Sequence, residues 1–263
     1  MAEGDVALAS IKPDRAAPEP RGWQSAVLLA AVVVLFAVFR IADEDGPLSW
    51  SATEGEAALK VAVWVVPSIV LVALVYRASV RDALVELGLW SNPLVGYAFG
   101  LAASLPTLIW FGAGLPFVGM PSLVADVLLG PFAEEVLFRG LLFRQLYRRA
   151  RRHPLRAMVV SALVFGGAHV VNTNWSLGPV GLQAAAAVVG TATLGGLLFA
   201  WVAYRWDSIW PAIGLHAGLN LAWDLTQGDA GRAIVTARVA SVVIALLITW
   251  RVTRLRKSFL RNS

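Results

Sequence analysis

From Trp23 onward the chain is a succession of long apolar runs broken by short polar segments. The runs predict helices near 24–41, 58–76, 94–112, 122–147, 155–171, 179–203, 209–225 and 233–250. Crossing the hydrocarbon of a bilayer takes roughly 20 predominantly apolar residues. Most runs meet that length, so the pattern predicts an all-α, polytopic membrane helix bundle of about eight transmembrane helices. Residues 1–22 are polar and Pro- and Ala-rich, with mixed charge, and read as a disordered cytoplasmic tail. They lack the cleavage site of a signal peptide. Residues 23–250 form the transmembrane domain, and 251–263 a basic cytoplasmic tail.

Composition agrees with the pattern. Hydrophobic residues make up 58% of the chain and charged ones only 15%, against about a quarter charged in soluble domains. The absence of cysteine excludes disulfides, thiolate metal sites and a thiol nucleophile. The formal charge of +5 does not indicate nucleic-acid binding, because the basic residues sit at the ends of apolar runs. Alternate connections carry them: Arg144, Arg148, Arg149, Arg151, Arg152 and Arg156 in one, and Arg251, Arg254, Arg256, Lys257 and Arg261 at the C-terminal end. The intervening segments hold only Arg40, Lys60 and Arg232. Under the positive-inside rule this places both termini in the cytoplasm. Trp23, Trp50, Trp90, Trp175, Trp206, Trp210 and Trp250 fall near span ends, as interfacial anchors do.

An ionisable group at the bilayer centre costs ~2.5–3.5 kcal/mol, so each one inside a span is a functional candidate. Here these are Glu134, Glu135 and Arg139 on the fourth run, His169 on the fifth, and His216 and Asp224 on the seventh, with the amide of Asn220 between them. Glu135 and Arg139 are four residues apart and share a helix face, so they can neutralise each other. Glu134 points about 100° away and is left to face another partner. A rise of 1.5 Å per residue sets Glu134 about 15 Å, His169 about 20 Å and His216 about 10–15 Å from the nearest basic end. One shared polar cluster at mid-membrane is consistent with these depths. A carboxylate, two imidazoles and an amide can activate water: Glu134 as general base, the histidines orienting water, holding a divalent metal or stabilising an oxyanion, and Asn220 donating to a tetrahedral intermediate. No G-x-S-x-G elbow and no H-E-x-x-H motif is present.

Three motifs carry a family resemblance. Glu134-Glu135-Val136-Leu137-Phe138-Arg139 resembles the E-E-x-x-x-R motif of the CAAX protease and bacteriocin-processing family of intramembrane proteases. Phe165 to His169 matches its F-x-x-x-H motif and His216 to Asn220 its H-x-x-x-N motif. They occur in the family's order over roughly residues 121–225, the family core. The resemblance implies a multi-pass intramembrane endopeptidase of the type II CAAX prenyl endopeptidase kind, cutting a membrane-associated peptide or protein near the cytoplasmic face. Its catalytic set would be Glu134, Glu135, Arg139, His169, His216 and Asn220, with Glu134 as the base and Glu135 and Arg139 in support. Members are commonly called metalloproteases, so a zinc ion on His169 and His216 with Glu134 is one expectation and a metal-independent glutamate the other. The family also contains immunity, scaffold and binding proteins without proteolytic activity, which is the alternative function. The Ala-, Arg- and Trp-rich composition points to a bacterial cell membrane. Nothing in the residues indicates oligomeric state.

Overall fold

A computed structural model describes residues 22–44, 53–107, 124–150, 153–172, 179–224 and 232–262. All its elements are helical. α1 covers Gly22–Glu44, and α2 (Thr53–Lys60) passes through a π-helical segment, Val61–Val65, into α3 (Val66–Tyr76). A short α4 (Val80–Glu86) precedes α5 (Pro93–Ala103). A second π-helical segment, Ala125–Leu129, leads into α6 (Gly130–Glu135), and a third, Val136–Phe143, joins α6 to α7 (Arg144–Arg149). Then come α8 (Pro154–Ala168) with a 3-10 turn at His169–Asn172, α9 (Pro179–Trp206), α10 (Trp210–Asp224) and α11 (Arg232–Asn262).

Local chemistry explains most of these boundaries. Pro93 and Pro154 sit in first turns, where a missing N–H costs nothing and the fixed φ suits the helix, while Pro67 and Pro131 follow π-helical segments inside longer helices. Ser79 caps α4 by accepting the amide hydrogen of Asp82 at 3.2 Å. α4 is an addition to the predicted pattern; it occupies the basic connection after α3. The tail at 1–21 and the ends of the predicted 94–112 and 122–147 helices lie outside the described residues.

Among the described residues, four helices are long and apolar enough to cross a membrane: Gly22–Ala42, Gly55–Tyr76, Gly181–Trp206 and Thr236–Arg254. Pro93–Ala103 and Pro154–Ala168 are apolar but shorter. Their outward faces carry large apolar side chains such as Val33, Leu74, Leu94 and Leu194, all strongly exposed. A face of that kind is stable only against lipid or protein. This is a membrane protein.

The interior is organised around the stretch from α6 to α7. Every residue of Val136–Phe143 is buried. Leu137 and Leu141 belong to one core with Leu28, Trp64, Phe165, Phe199 and Leu215, which come from five surrounding helical segments. The segment that carries the most charge of any predicted span is therefore the centre of the bundle. α5 and α10 approach most closely: a Cβ placed on Gly100 would lie 2.3 Å from the Leu215 nitrogen, and one on Gly214 2.2 Å from the Tyr97 carbonyl oxygen. Small residues at this crossing let the backbones touch. The start of α10 is pinned as well, since Trp210 Nε1 donates to the Leu89 carbonyl at 2.8 Å. Trp210 and Trp206 thus act as braces inside the protein, Trp206 through Thr249 at 3.2 Å. Trp23, Trp90 and Trp250 remain exposed in the manner of interfacial anchors.

Candidate active site

The acidic pair ends α6, where the helix widens into the π-helical segment Val136–Phe143. Such widened turns are frequent at functional sites. Glu135 turns inward, and both it and Arg139 are fully buried, with Arg139 Nη1 3.2 Å from Glu135 Oε1. Among the described residues, no hydrogen bond of good geometry reaches the guanidinium. Aromatic rings take that place: the Arg139 Cζ lies 4.1 Å from the Phe165 centroid and 5.3 Å from that of Phe199. A desolvated cation over two ring faces gains about 1–2 kcal/mol from each at most. Gly196 of α9 leaves the room this requires, since a Cβ there would come within 3.3 Å of Arg139 Nη2 and 3.1 Å of the Phe165 ring.

His216 reaches the pair from α10. Its Nδ1 is 2.9 Å from Glu135 Oε1. An ionised carboxylate only accepts, so Nδ1 is the donor and a neutral ring carries its lone pair on Nε2. That Nε2 faces the other glutamate, 3.8 Å from Glu134 Oε2. The ring is stacked on Phe199 at 4.8 Å and 20°. One imidazole is thus held edge-on between two adjacent carboxylates, with a phenyl ring fixing its plane.

His169, just past α8, has Nδ1 2.8 Å from the Phe165 carbonyl, one turn back. The carbonyl accepts, so here too Nε2 keeps the lone pair. Its ring packs on Phe165 at 4.5 Å, and Phe165 in turn lies 6.0 Å from His216. His169 is near enough to Glu134 to act on it electrostatically. Asn220 stands one turn beyond His216 on α10, half-buried. Among the described residues, no contact joins it to the carboxylates. The side chain of Asp224 lies outside the described residues.

Sequence reasoning missed a cation. Lys60, counted above with the basic residues between spans, points into the cluster. Its Nζ is 3.1 Å from Glu134 Oε1 and 2.9 Å from Glu56 Oε1, and its side chain is only 13% exposed. The spacing Glu56-x-x-x-Lys60 at the start of an apolar run was the available signal, because an i,i+4 pair can be carried into a membrane.

A divalent metal on His169, His216 and Glu134 requires three donors around one point. Among the described residues, no group of three His, Cys, Asp or Glu side chains gathers in that way. The Lys60 ammonium lies against Glu134 Oε1, where a second cation would be repelled. The residues as placed do not fit a bound metal, and no step below runs through one.

The described residues thus form a helical membrane protein with a Glu-Glu-Arg-His cluster in its interior. Residues 115–222 match the Rce1-like family, described as type II CAAX prenyl endopeptidase Rce1-like. This stretch of the chain is similar to that family of CAAX endopeptidases, and it contains every residue of the three motifs. The match covers less than half of the chain. No curated protein matches the chain, and no solved structure does.

Proposed function

We propose that this chain is an intramembrane endopeptidase that hydrolyses peptide bonds of a membrane-associated substrate with a water activated by Glu134. The observation that carries the reading is the position of the His216 ring, with Nδ1 on Glu135 and Nε2 toward Glu134. At 3.8 Å the Glu134 oxygen and Nε2 are too far apart for a direct hydrogen bond, but a water fits between two acceptors at such a distance. It would donate one hydrogen to Glu134 Oε2 and the other to Nε2.

The reaction then needs few parts. Glu134 takes a proton from the water as the oxygen adds to the scissile carbonyl carbon. The oxyanion that forms is stabilised by a nearby donor, the role assigned to Asn220. Glu134 returns its proton to the leaving nitrogen, and the C–N bond breaks to give a carboxylic acid and an amine, between which the remaining proton equilibrates in water. Glu135 and Arg139 do not exchange protons. They hold His216 in the tautomer that keeps Nε2 available, as a carboxylate beside an imidazole does in the Ser-His-Asp triad. His169, packed on Phe165 beside His216, is the second imidazole of this reading. In this reading eight spans cross a bacterial cell membrane, with both termini in the cytoplasm.

The test is turnover of a membrane-associated peptide by the purified chain, wild type against Glu134→Gln. Loss of a positioned base lowers the rate about 10²–10⁴-fold. Equal rates in the two proteins overturn the reading and favour a non-catalytic family member.

A further inference from the structure

Lys60 is held unusually well for a lysine. It is the last residue of α2, directly before the π-helical segment Val61–Val65. Its ammonium bonds Glu134 at 3.1 Å and Glu56 at 2.9 Å. It also lies 5.7 Å from the centroid of Phe39 and 5.8 Å from that of Trp64. That platform is itself anchored, since Trp64 is buried and its Nε1 donates to the Leu35 carbonyl at 3.1 Å. A lysine side chain gives up much rotamer freedom when fixed. Four contacts on one ammonium offset that cost and define its position.

The two oxygens of Glu134 consequently have different neighbours. Oε1 carries Lys60, and Oε2 is the one turned toward His216 Nε2. Without Lys60 the carboxylate could rotate about its last torsion and present either oxygen to either side, because that torsion is broad. Resting on the reading of Glu134 as the base, we propose that Lys60 is the positioning residue for it. Lys60 pins Oε1, so that Oε2 alone meets the water.

The arrangement also accounts for Glu56. Lys60 neutralises the Glu134 anion before the reaction. When Glu134 takes up the proton of water, that partner is lost for the lifetime of the intermediate. Glu56 still pairs the ammonium through that interval, so no isolated cation is left in a poorly solvated place. Lys60 keeps its own protons throughout. The proton balance remains water to Glu134 to leaving nitrogen.

The experiment uses the full chain in liposomes with a membrane-associated peptide substrate, and compares wild type, Glu134→Gln, Lys60→Met, Lys60→Gln and Lys60→Arg. Lys60→Met and Lys60→Gln are expected to lower kcat at least tenfold while KM stays within twofold. Lys60→Arg, which keeps the cation, recovers most of the loss. Thermal midpoints are recorded for each, and Lys60→Gln carries the same prediction should Lys60→Met not fold. Full kcat in both uncharged variants, beside an inactive Glu134→Gln, overturns the role of Lys60 and leaves the reading of Glu134 intact. A parallel loss of kcat, KM and thermal midpoint that arginine does not recover also overturns it, since that is the pattern of a scaffold residue. Wild-type rates in Glu134→Gln, or no turnover by the wild type, overturn both inferences together.

Discussion

Replacing Arg139 by methionine removes the cation of a fully buried ion pair and leaves Glu135 without its charge partner. At 3.2 Å, two unit charges attract by about 5 kcal/mol if the effective dielectric constant is about 20. Desolvation has already consumed part of that, so the pair as a whole contributes far less than its attraction. Breaking it from one side is another matter: an uncompensated buried carboxylate costs about 3–5 kcal/mol. Loss of the stacking of Arg139 on Phe165 and Phe199 adds to this, while the methionine retains some of the packing. Arg139→Met should therefore lower the stability of the folded chain by about 3–5 kcal/mol. Glu135→Gln strands the Arg139 cation in turn, although an amide oxygen can still accept from His216 Nδ1. The diagnostic variant is the double one, Glu135→Gln with Arg139→Met, in which no buried charge is stranded. It should be more stable than Arg139→Met alone, with a coupling of 1 kcal/mol or more between the two sites. Reversible unfolding in detergent, read by tryptophan fluorescence across the four proteins, gives that coupling directly. Additive effects, within about 0.5 kcal/mol, would refute the view that this pair is one electrostatic unit.

The remaining tests reach other parts of the fold. Gly214→Ala should destabilise by about 1–3 kcal/mol, because its Cβ would meet the Tyr97 backbone oxygen at 2.2 Å and force α5 and α10 apart. Gly167→Ala, whose Cβ would meet nothing within 4 Å, should be neutral or stabilising by up to about 1 kcal/mol; the two thermal midpoints must move in that order. Incubation with a strong divalent chelator should leave peptide turnover within twofold of the untreated rate, since the Lys60 ammonium beside Glu134 would repel a second cation. A loss that zinc restores would show that the cluster rearranges around an ion.

How much of this was legible in the sequence depends on the range of the interaction. The Glu135–Arg139 pair is local, and a spacing of four residues was enough to foresee its partner. That Glu134 would face elsewhere also followed from helical geometry. The identity of what it faces did not, because Lys60 is 74 residues away in the chain and lies in a different helix. Lys60 was assigned by its charge to a connection between spans, and charge alone cannot distinguish a solvated lysine from one paired in the interior. The histidines were picked out because imidazoles are rare in apolar runs. Phe165 was singled out through the F-x-x-x-H motif, while Phe199 escaped notice because phenylalanine in a span is ordinary. The three π-helical segments had no signature at all in the apolar pattern, although they shift the register of everything after them.

The two ways of pairing a glutamate have a consequence for how the chain is made. Glu135 and Arg139 emerge from the ribosome together and can enter the lipid as one neutral unit. Glu134 has no such companion on its own helix. Its cation is already waiting, since Lys60 is synthesised 74 residues earlier and has been carried in beside Glu56. The early helix holds its lysine paired until the later one delivers the second carboxylate. The carboxylate that chemistry would use thus arrives to a cation already in place, and His169 and His216 follow it.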